Sequence, residues 1–367
     1  MDIFRAKAPL RISFAGGGTD VSPFPEERGG AVLNCTIDKY AYATLTTRPG
    51  KGRVRVQSLD FDVAAEYRTP RDFVYDGELD LVKATLKRFH RTDSDWEIFL
   101  HSDAPPRTGL GSSSTMVVAL VTLFARYLNI PLTTYELAER AFRIERVDLG
   151  DPGGRQDQYA AAFGGFNFIE FLGSTTVVNP LRIDAEILNE LSYRLMLCYT
   201  GITRFGGDII ERQTRSFRER RHDTVEALEE TKRLAISMKK ELLTGNLDEM
   251  GHLLHEGWEA KKRFTKGISN PKIDRFYTRA RAAGALGGKL TGAGGGGYLL
   301  LFCDFRRRQD VAKAVVASGG RVMEFNFSPE GAQSWVVRTA SDGSRLLPRA
   351  LGSAGGAKIA HRRVTKL

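Results

Sequence analysis

Five of the six positions from 292 to 297 are glycine, and this segment directly precedes the apolar run Tyr298–Cys303. Glycine loses more conformational freedom on folding than any other residue, so this density is destabilising unless a backbone has to pass close to another group. The segment therefore predicts a loop at the start of a buried strand. Such a loop either brings its backbone up to a ligand or packs tightly against another stretch of main chain.

A second glycine-rich segment, residues 105–114, runs into an apolar stretch that predicts a buried helix over residues 113–128. Glycines allow backbone N–H groups to converge on an anion, and the first turn of a helix adds unpaired donors and a partial positive charge. The segment therefore predicts a phosphate-binding loop, although it lacks the lysine of a Walker A motif. A plain helix start capped by Ser112 or Ser113 is the alternative.

A third glycine-rich segment, residues 15–20, follows a predicted strand but lacks the GxGxxG spacing of dinucleotide-binding turns. In that strand apolar and polar residues alternate over positions 10–14, which places Arg11 on the face opposite the apolar side chains. Thr133 and Glu136 have the spacing of a capping box and predict a second helix that ends near Val147. Further strands are predicted at residues 31–46, 53–57, 96–100 and 166–171.

The chain of 367 residues is long for a single domain, so two domains are expected. Past Gly173 the strand patterns give way to long charged helices, notably over residues 208–243. We therefore predict an N-terminal domain of residues 1–173, a C-terminal domain of residues 174–346 and a basic tail of residues 347–367.

The net charge of +10 is concentrated at the C-terminal end of the chain. Residues 345–367 contain six basic residues and no acidic one, so the rest of the chain is only modestly basic. No nucleic-acid recognition motif accompanies this charge. The distribution disfavours a nucleic-acid-binding protein and suits a protein that handles small anionic molecules.

The apolar runs and the cysteines indicate a cytoplasmic protein. The longest apolar run, residues 116–125, is too short to span a bilayer, and the first residues lack the apolar stretch of a signal peptide. The three cysteines are odd in number, widely spaced and form no CxxC pair, so we expect reduced, buried thiols. We expect no membrane partner, and the sequence leaves the oligomeric state open.

The order and spacing of the three glycine-rich segments resemble the GHMP kinases, named for galactokinase, homoserine kinase, mevalonate kinase and phosphomevalonate kinase. Residues 105–113 contain a P-x-x-x-G-L-G-S-S core that resembles this family's ATP loop. Residues 289–297 resemble its C-terminal glycine motif, and residues 8–20 are similar to its first motif. The resemblance implies a two-domain α+β fold, with an N-terminal domain like the second domain of ribosomal protein S5 and a ferredoxin-like C-terminal domain. ATP and a small sugar or sugar phosphate would meet in the cleft between them.

The resemblance also implies residue roles. Asp157 corresponds to the catalytic aspartate that receives the proton of the attacking hydroxyl. Arg11 corresponds to the cation that keeps this aspartate ionised and faces the transferred phosphoryl group. Ser113 and Glu145 correspond to two protein ligands of Mg²⁺, a hard cation that combines few protein oxygens with phosphate oxygens and waters.

The residues alone leave other roles open. Glu145 would otherwise be a surface salt-bridge partner of Arg146 or Arg143, and Asp157 a carboxylate that stabilises a helix N-terminus. We assign ATP contacts to the second glycine-rich segment: Pro105, Arg107, Thr108, Gly109, Leu110, Gly111, Ser112, Ser113 and Ser114. We assign substrate contacts to the other two segments and one further loop: Gly17, Gly18, Thr19, Asp20, Arg204, Thr291, Gly292 and Gly294. Arg204 follows a predicted strand in a Gly/Thr-rich loop, where it is either a phosphate contact or an ordinary surface arginine.

Details of the motifs favour a sugar as the phosphoryl acceptor. Arginine at position 11, where mevalonate kinases have lysine, and residues 155–158 resemble the galactokinase branch. The bare glycines at 16–18 lack the glutamate and histidine of galactokinases, which counts against galactose. The first segment, with residues 29–34, most resembles kinases of D-glycero-D-manno-heptose 7-phosphate, which phosphorylate the anomeric hydroxyl. An L-fucose 1-kinase and a non-catalytic sensor that binds ATP or sugar are the alternatives.

Overall fold

The computed structural model describes residues 2–202 and 206–338 of the chain. Within these ranges the strands are β1 (Asp2–Ala15), β2 (Gly30–Pro49), β3 (Val54–Ser58), β4 (Val63–Tyr67), β5 (Ser94–Ser102), β6 (Phe166–Leu172), β7 (Thr175–Pro180), β8 (Leu195–Tyr199), β9 (Ala285–Leu290), β10 (Tyr298–Cys303), β11 (Arg321–Met323) and β12 (Gln333–Arg338). The α-helices are α1 (Phe24–Arg28), α2 (Asp80–Phe89), α3 (Ser112–Tyr127), α4 (Thr134–Phe142), α5 (Gln156–Phe163), α6 (Ala185–Arg194), α7 (Gly207–Arg218), α8 (His222–Thr244), α9 (Leu247–Lys262), α10 (Pro271–Ala283) and α11 (Arg308–Ala317).

The larger sheet has eight strands, and its long central pair carries the first glycine-rich segment. Six strands follow the order β12-β1-β2-β5-β3-β4, while β6 pairs with both β2 and β7. β1 and β2 pair antiparallel, with irregularities on β1 between Pro9 and Arg11 and between Ser13 and Ala15. α3 lies against this central pair. The apolar side chains of α3 are buried nearly all round, as its composition predicts.

The smaller sheet has four antiparallel strands in the order β11-β8-β10-β9. Along the chain, helices α7 to α10 follow β8, and α11 follows β10 before β11 completes the sheet. This is the β-α-β-β-α-β succession of ferredoxin-like domains, with several helices in place of the first. The expected α+β fold is confirmed.

Two segments differ from the sequence-based prediction. α2 lies between the predicted strands at residues 53–57 and 96–100, where no helix is predicted, and it buries Val82, Leu86 and Phe89, which share one face at helical spacing. The charged stretch over residues 208–243 forms two helices rather than one continuous helix. Arg220 between α7 and α8 has a φ of 55°, a left-handed conformation that a right-handed helix cannot contain.

The larger sheet draws strands from both sides of the boundary that we place at residue 173. β6 precedes this boundary and β7 follows it, yet the two strands pair with each other. β12, near the end of the described chain, pairs with β1. The division into residues 1–173 and 174–346 stays a proposal. Under this division, β7 and β12 of the second part belong to the sheet of the first part. The tail over residues 347–367 lies outside the described residues.

The cysteines match the expectation for buried thiols. Cys35, Cys198 and Cys303 are buried and form no disulfide. Burial raises the pKa of the Cys35 thiol well above its usual value, which keeps it protonated and unreactive. In residues 2–202 and 206–338, no helix combines the length and the apolar character needed to cross a bilayer.

Candidate active site

Arg11 and Asp157 form a buried ion pair between β1 and the first turn of α5. The Nε and Nη2 atoms of Arg11 each lie 2.7 Å from Oδ1 of Asp157. Arg11 is only 3% exposed, and its Nη1 donates to the carbonyl oxygen of Gly109 at 2.6 Å. The backbone N–H of Arg11 also donates to the carbonyl of Leu110. The two residues predicted to be catalytic are therefore in contact with each other and with the second glycine-rich segment.

The second glycine-rich segment ends in an open helix N-terminus beside this ion pair. The N-cap of α3 is Gly111, whose φ of 77° suits glycine, and no side chain caps the helix. Neither Ser112 nor Ser113 is the capping residue, so the plain capped-helix alternative is wrong. A Cβ on Gly111 would lie 3.3 Å from the carboxyl group of Asp157. The free N–H groups of the first turn thus lie next to the ion pair, where they suit a phosphate.

The remaining residues of this segment shape the loop. Thr108 is buried and its Oγ1 donates to the carbonyl of Pro105 at 2.7 Å, while Leu110 is fully buried. Arg107 is exposed and has a φ of 64°. Ser114 is buried and accepts hydrogen bonds from Arg146 and Gln158, which the sequence analysis did not predict.

Glu145 is fully buried, so its alternative as a surface salt-bridge partner is wrong. It lies on a π-helical turn, Arg143–Asp148, a form of helix that often occurs at functional sites. Its Oε2 accepts a hydrogen bond from Gln158 at 2.6 Å, and its Oε1 lies 3.4 Å from Arg146 without forming a hydrogen bond. Buried carboxylate oxygens normally have a partner, so the orphaned Oε1 fits a position for a hard cation.

Ser113, the other predicted metal ligand, is exposed in the first turn of α3. The buried hydroxyl that shares partners with Glu145 is that of the adjacent residue, Ser114, through Gln158 and Arg146. Ser113 directly precedes Ser114 in the first turn of α3, and Glu145 lies on the π-helical turn. An exposed hydroxyl and a buried carboxylate oxygen that accepts no hydrogen bond are oxygen donors of the kind that Mg²⁺ shares with phosphate oxygens.

The first glycine-rich segment folds into a tight turn in which Thr19 and Asp20 have structural contacts. Thr19 is buried and its Oγ1 donates to the carbonyl of Gly16. The Asp20 carboxylate is 2% exposed and accepts from the backbone N–H groups of Gly18 and Gln156 and from the Gln156 side chain. Burial raises the pKa of Asp20, and the nearby charge of Asp157 acts in the same direction.

Gly17 and Gly18 line this turn. A Cβ on Gly17 would lie 3.3 Å from both the Gln156 amide and the Ser13 hydroxyl. Gly18 has a φ of 106°, and its carbonyl accepts from Gln213 of α7. The turn is therefore held from both halves of the chain, with Asp20 fixing its shape.

The third glycine-rich segment packs against the second. Several of its glycines therefore fit the alternative in which this loop packs tightly against another stretch of main chain. A Cβ on Gly292 would lie 2.6 Å from Cα of Gly109, and one on Gly297 would lie 2.2 Å from the carbonyl oxygen of Thr108. Gly294 lies against Ile268 in the same manner. The Thr291 hydroxyl is buried and donates to the carbonyl of Tyr298. This close packing joins the second glycine-rich segment to the smaller sheet.

Two lysines near this site carry no role in the sequence-based prediction. Lys261 of α9 and Lys289 of β9 are 6% and 4% exposed. The pKa of Lys261 is lowered from 10.5 to about 8, chiefly by burial and then by the charge of Arg11, while Asp20 and Asp157 act in the opposite direction. Burial also lowers the pKa of Lys289, as does the charge of Lys261. Their sequence context, a polar helix and a glycine motif, gives no sign of burial. Arg204 lies outside the described residues.

Comparison with known proteins identifies relatives over nearly the whole chain. The model of the GHMP kinases N terminal domain matches residues 80–165, and that of the GHMP kinases C terminal domain matches residues 238–321. The D-glycero-alpha-D-manno-heptose 7-phosphate kinase of Campylobacter jejuni is 39% identical over 342 residues, which are 92% of this chain and 100% of that protein.

Two further relatives also act on sugars. The bifunctional fucokinase/GDP-fucose pyrophosphorylase of Arabidopsis thaliana is 24% identical over 314 residues, 81% of this chain and 29% of that protein. The crystal structure of a D-glycero-D-manno-heptose 1-phosphate kinase from Bacteroides thetaiotaomicron superposes with a TM-score of 0.76 and 36% identity. The match covers 92% of this chain and 100% of that one.

Proposed function

This chain belongs to the GHMP kinases and is a sugar kinase of that family, and we propose that its acceptor is D-glycero-D-manno-heptose 7-phosphate. The γ-phosphate of ATP would pass to the anomeric hydroxyl and give the 1,7-bisphosphate. The observation that carries this proposal is the 39% identity to the Campylobacter enzyme over that enzyme's full length. The bare glycines at positions 16–18 agree with it, because they lack the glutamate and histidine with which galactokinases contact galactose.

In the proposed reaction Asp157 accepts the proton of the acceptor hydroxyl. Arg11 pairs with Oδ1 of this carboxylate, which also lies in the first turn of α5, where the partial positive charge of the helix start attracts an anion. The attacking oxygen forms a bond to the γ-phosphorus while the bond from phosphorus to the bridging oxygen of ADP breaks. Since the transition state is loose, correct placement and charge compensation contribute more than the basicity of the aspartate.

Residues around the phosphates would hold ATP and its metal ion. The N–H groups at the start of α3 would donate to phosphate oxygens, and Arg11 would face the transferred group. Ser113 and Glu145 would hold Mg²⁺, which supplies positive charge against the phosphate oxygens when it is bound. Gln158, through its hydrogen bond to Oε2, and Arg146, through its ion pair with Oε1, would hold the Glu145 carboxylate in place.

The remote 7-phosphate requires a cationic contact, for which we propose Arg204. This assignment rests on its position in the sequence between β8 and α7, because the residue itself lies outside the described residues. The energy of binding such a remote group is used to position the reacting hydroxyl, so its loss should lower kcat as well as affinity.

Initial rates with a panel of acceptors test the proposal. The panel contains heptose 7-phosphate, the unphosphorylated heptose, L-fucose and galactose, each with Mg·ATP. We expect the highest kcat/KM for heptose 7-phosphate, and we expect Arg204→Ala to reduce it strongly for that acceptor and hardly for the free heptose. A preference for L-fucose would replace the proposal with the 1-kinase alternative. Equal losses of kcat/KM for the two heptoses in Arg204→Ala would exclude Arg204 as the phosphate contact.

A further inference from the structure

Lys261 and Lys289 bring two buried ammonium groups from the smaller-sheet half of the chain to the Arg11–Asp157 pair. Nζ of Lys261 donates to the carbonyl oxygen of Gly292, and Nζ of Lys289 donates to the carbonyl of Phe14 at 3.2 Å. Within the described residues these carbonyls are the acceptors found for the two side chains. Since an ammonium group has three N–H donors, each lysine retains donors for a ligand.

The surrounding charges do not neutralise these lysines. The charged groups that act on Lys261 are Arg11 from β1, Asp20 from the first glycine-rich turn and Asp157 from α5. Lys289 from β9 is a further basic side chain, and the charge of Lys261 lowers the pKa of Lys289. Asp157 is already paired with Arg11, and Asp20 accepts from backbone and amide N–H groups.

A buried ammonium without a carboxylate partner is destabilising for the fold. The lowered pKa of Lys261 agrees with this. The excess positive charge instead favours the arrival of a group that carries or develops negative charge at this position. The buried ammonium therefore lowers the stability of the free protein and favours the binding of a ligand with negative charge.

We propose that Lys261 is a further catalytic residue, whose ammonium group donates to the acceptor oxygen that attacks the γ-phosphorus. The oxygen–phosphorus bond forms, the bond from phosphorus to the bridging oxygen breaks with its electron pair going to ADP, and the hydroxyl proton goes to Asp157. Lys261 keeps its own protons and stabilises the partial negative charge that the attacking oxygen gains as its proton moves to Asp157. Lys261 is held at the carbonyl of Gly292, which packs against Gly109, and the carbonyl of Gly109 accepts from the Arg11 that pairs with Asp157. This chain of contacts places the ammonium on the Arg11–Asp157 side of the site.

Lys289 lies near Lys261 and has a structural contact of its own. The charge of Lys261 lowers the pKa of Lys289, and a hydrogen bond to the carbonyl of Phe14 holds Lys289 against β1. This proposal rests on the sugar kinase activity of the family and not on heptose 7-phosphate as the acceptor. The role of Lys261 and the substrate assignment can therefore be tested independently.

The test compares Lys261→Met and Lys261→Arg with Lys262→Met. Lys262 is the next residue of α9, is partly exposed and pairs with Glu259, so it is a matched control. We expect Lys261→Met to lower kcat by about 100-fold, the size seen when one donor to a developing negative charge is removed. The dissociation constant of Mg·ATP, measured by calorimetry, should change by no more than about twofold, because Lys261 acts on the acceptor. Lys261→Arg should recover part of kcat, and Lys262→Met should behave as wild type.

The pH profile gives a readout that a structural role would not change. Wild-type kcat/KM should fall above about pH 8 as Lys261 loses its proton. The profile of Lys261→Arg should remain flat to higher pH, because guanidinium stays protonated. An unchanged kcat in Lys261→Met, or the same alkaline limb in Lys261→Arg, would overturn the proposal.

Acceptor choice separates this proposal from its rivals. We expect equal losses in Lys261→Met for heptose 7-phosphate and for free heptose. A loss confined to the phosphorylated acceptor would make Lys261 a phosphate contact and would overturn the proposal as stated. If wild type uses L-fucose and not heptose 7-phosphate, the substrate assignment fails, and the same comparison of variants on L-fucose decides the role of Lys261.

Discussion

The guanidinium of Arg11 contacts one oxygen of Asp157, Oδ1, through both Nε and Nη2. The other oxygen, Oδ2, lies on the side of Gly111, where a Cβ would be 3.3 Å away. The carboxylate side chain is 18% exposed. One oxygen of the carboxylate is thus used to hold the ion pair, and the other faces the start of α3, where an acceptor hydroxyl would meet the γ-phosphate.

Asp157→Asn should lower kcat by at least about 100-fold, within the range for a positioned proton acceptor. The affinity for Mg·ATP should persist, since the donors at the start of α3 are unchanged. Steady-state rates and calorimetry measure the two quantities. Asp148→Asn is the matched control, because Asp148 forms a salt bridge with Arg88 at the surface. Near-normal turnover of a folded Asp157→Asn variant would remove this residue from the mechanism.

Glu145→Gln should raise the Mg²⁺ concentration that gives half-maximal rate, because one of few protein oxygens loses its charge. Ser113→Ala should act in the same direction but more weakly, since a hydroxyl attracts the cation less than a carboxylate does. Glu139→Gln, which alters an exposed partner of Arg143, is the control. Reaction rates measured over a Mg²⁺ titration test the expected shift in each variant. An unchanged Mg²⁺ dependence in Glu145→Gln would reduce this residue to a buried partner of Arg146.

Lys261→Met should stabilise the protein at neutral pH. A lowered pKa means that the folded state disfavours the charged lysine, so its burial destabilises the fold fully below about pH 8. Between about pH 8 and 10.5 the unfolded chain binds more protons than the folded one, and wild-type stability rises with pH relative to the variant. The shift corresponds to at most about 3 kcal/mol. Urea unfolding at pH 7 and pH 10 should show a larger advantage for the variant at pH 7, and an equal difference at both would contradict the account.

Gly292→Ala should destabilise the protein and weaken ATP binding. Its φ of 66° is strained for alanine, and the new Cβ would meet the backbone of Gly109. We expect a loss of more than about 1 kcal/mol in the free energy of unfolding. Gly257→Ala is the opposite case, because this glycine lies within α9 with nothing within 4 Å of the new Cβ, and it should be neutral or slightly stabilising. Thermal unfolding of both variants checks the pair, and a wild-type melting temperature for Gly292→Ala would refute the proposed packing.

The parts of the fold and site that follow from local pattern could be predicted from the sequence. The capping box of Thr133 and Glu136 marks the start of α4 as predicted, and the apolar run of β10 matches its strand. The pairing of Arg11 with Asp157 required the family resemblance, because the two residues are 146 positions apart.

Burial of charged residues could not be predicted in this way. Lys261 adjoins Lys262 in a polar helix, and only the packing of α9 against β9 and the glycine loop determines which of the two is buried. The same holds for Glu145, which has Arg143 and Arg146 close by in sequence and is fully buried in the fold. Tertiary contacts, rather than local propensity, decide these positions.

The position of the new phosphate is the most direct test of the proposed activity. Wild-type protein is incubated with Mg·ATP and D-glycero-D-manno-heptose 7-phosphate, and the product is examined by phosphorus NMR with proton correlation. The account predicts a second sugar phosphate signal that couples to the anomeric proton, alongside the retained signal of the 7-phosphate. A new signal that couples to any other sugar proton, or the absence of a new sugar phosphate, would contradict it.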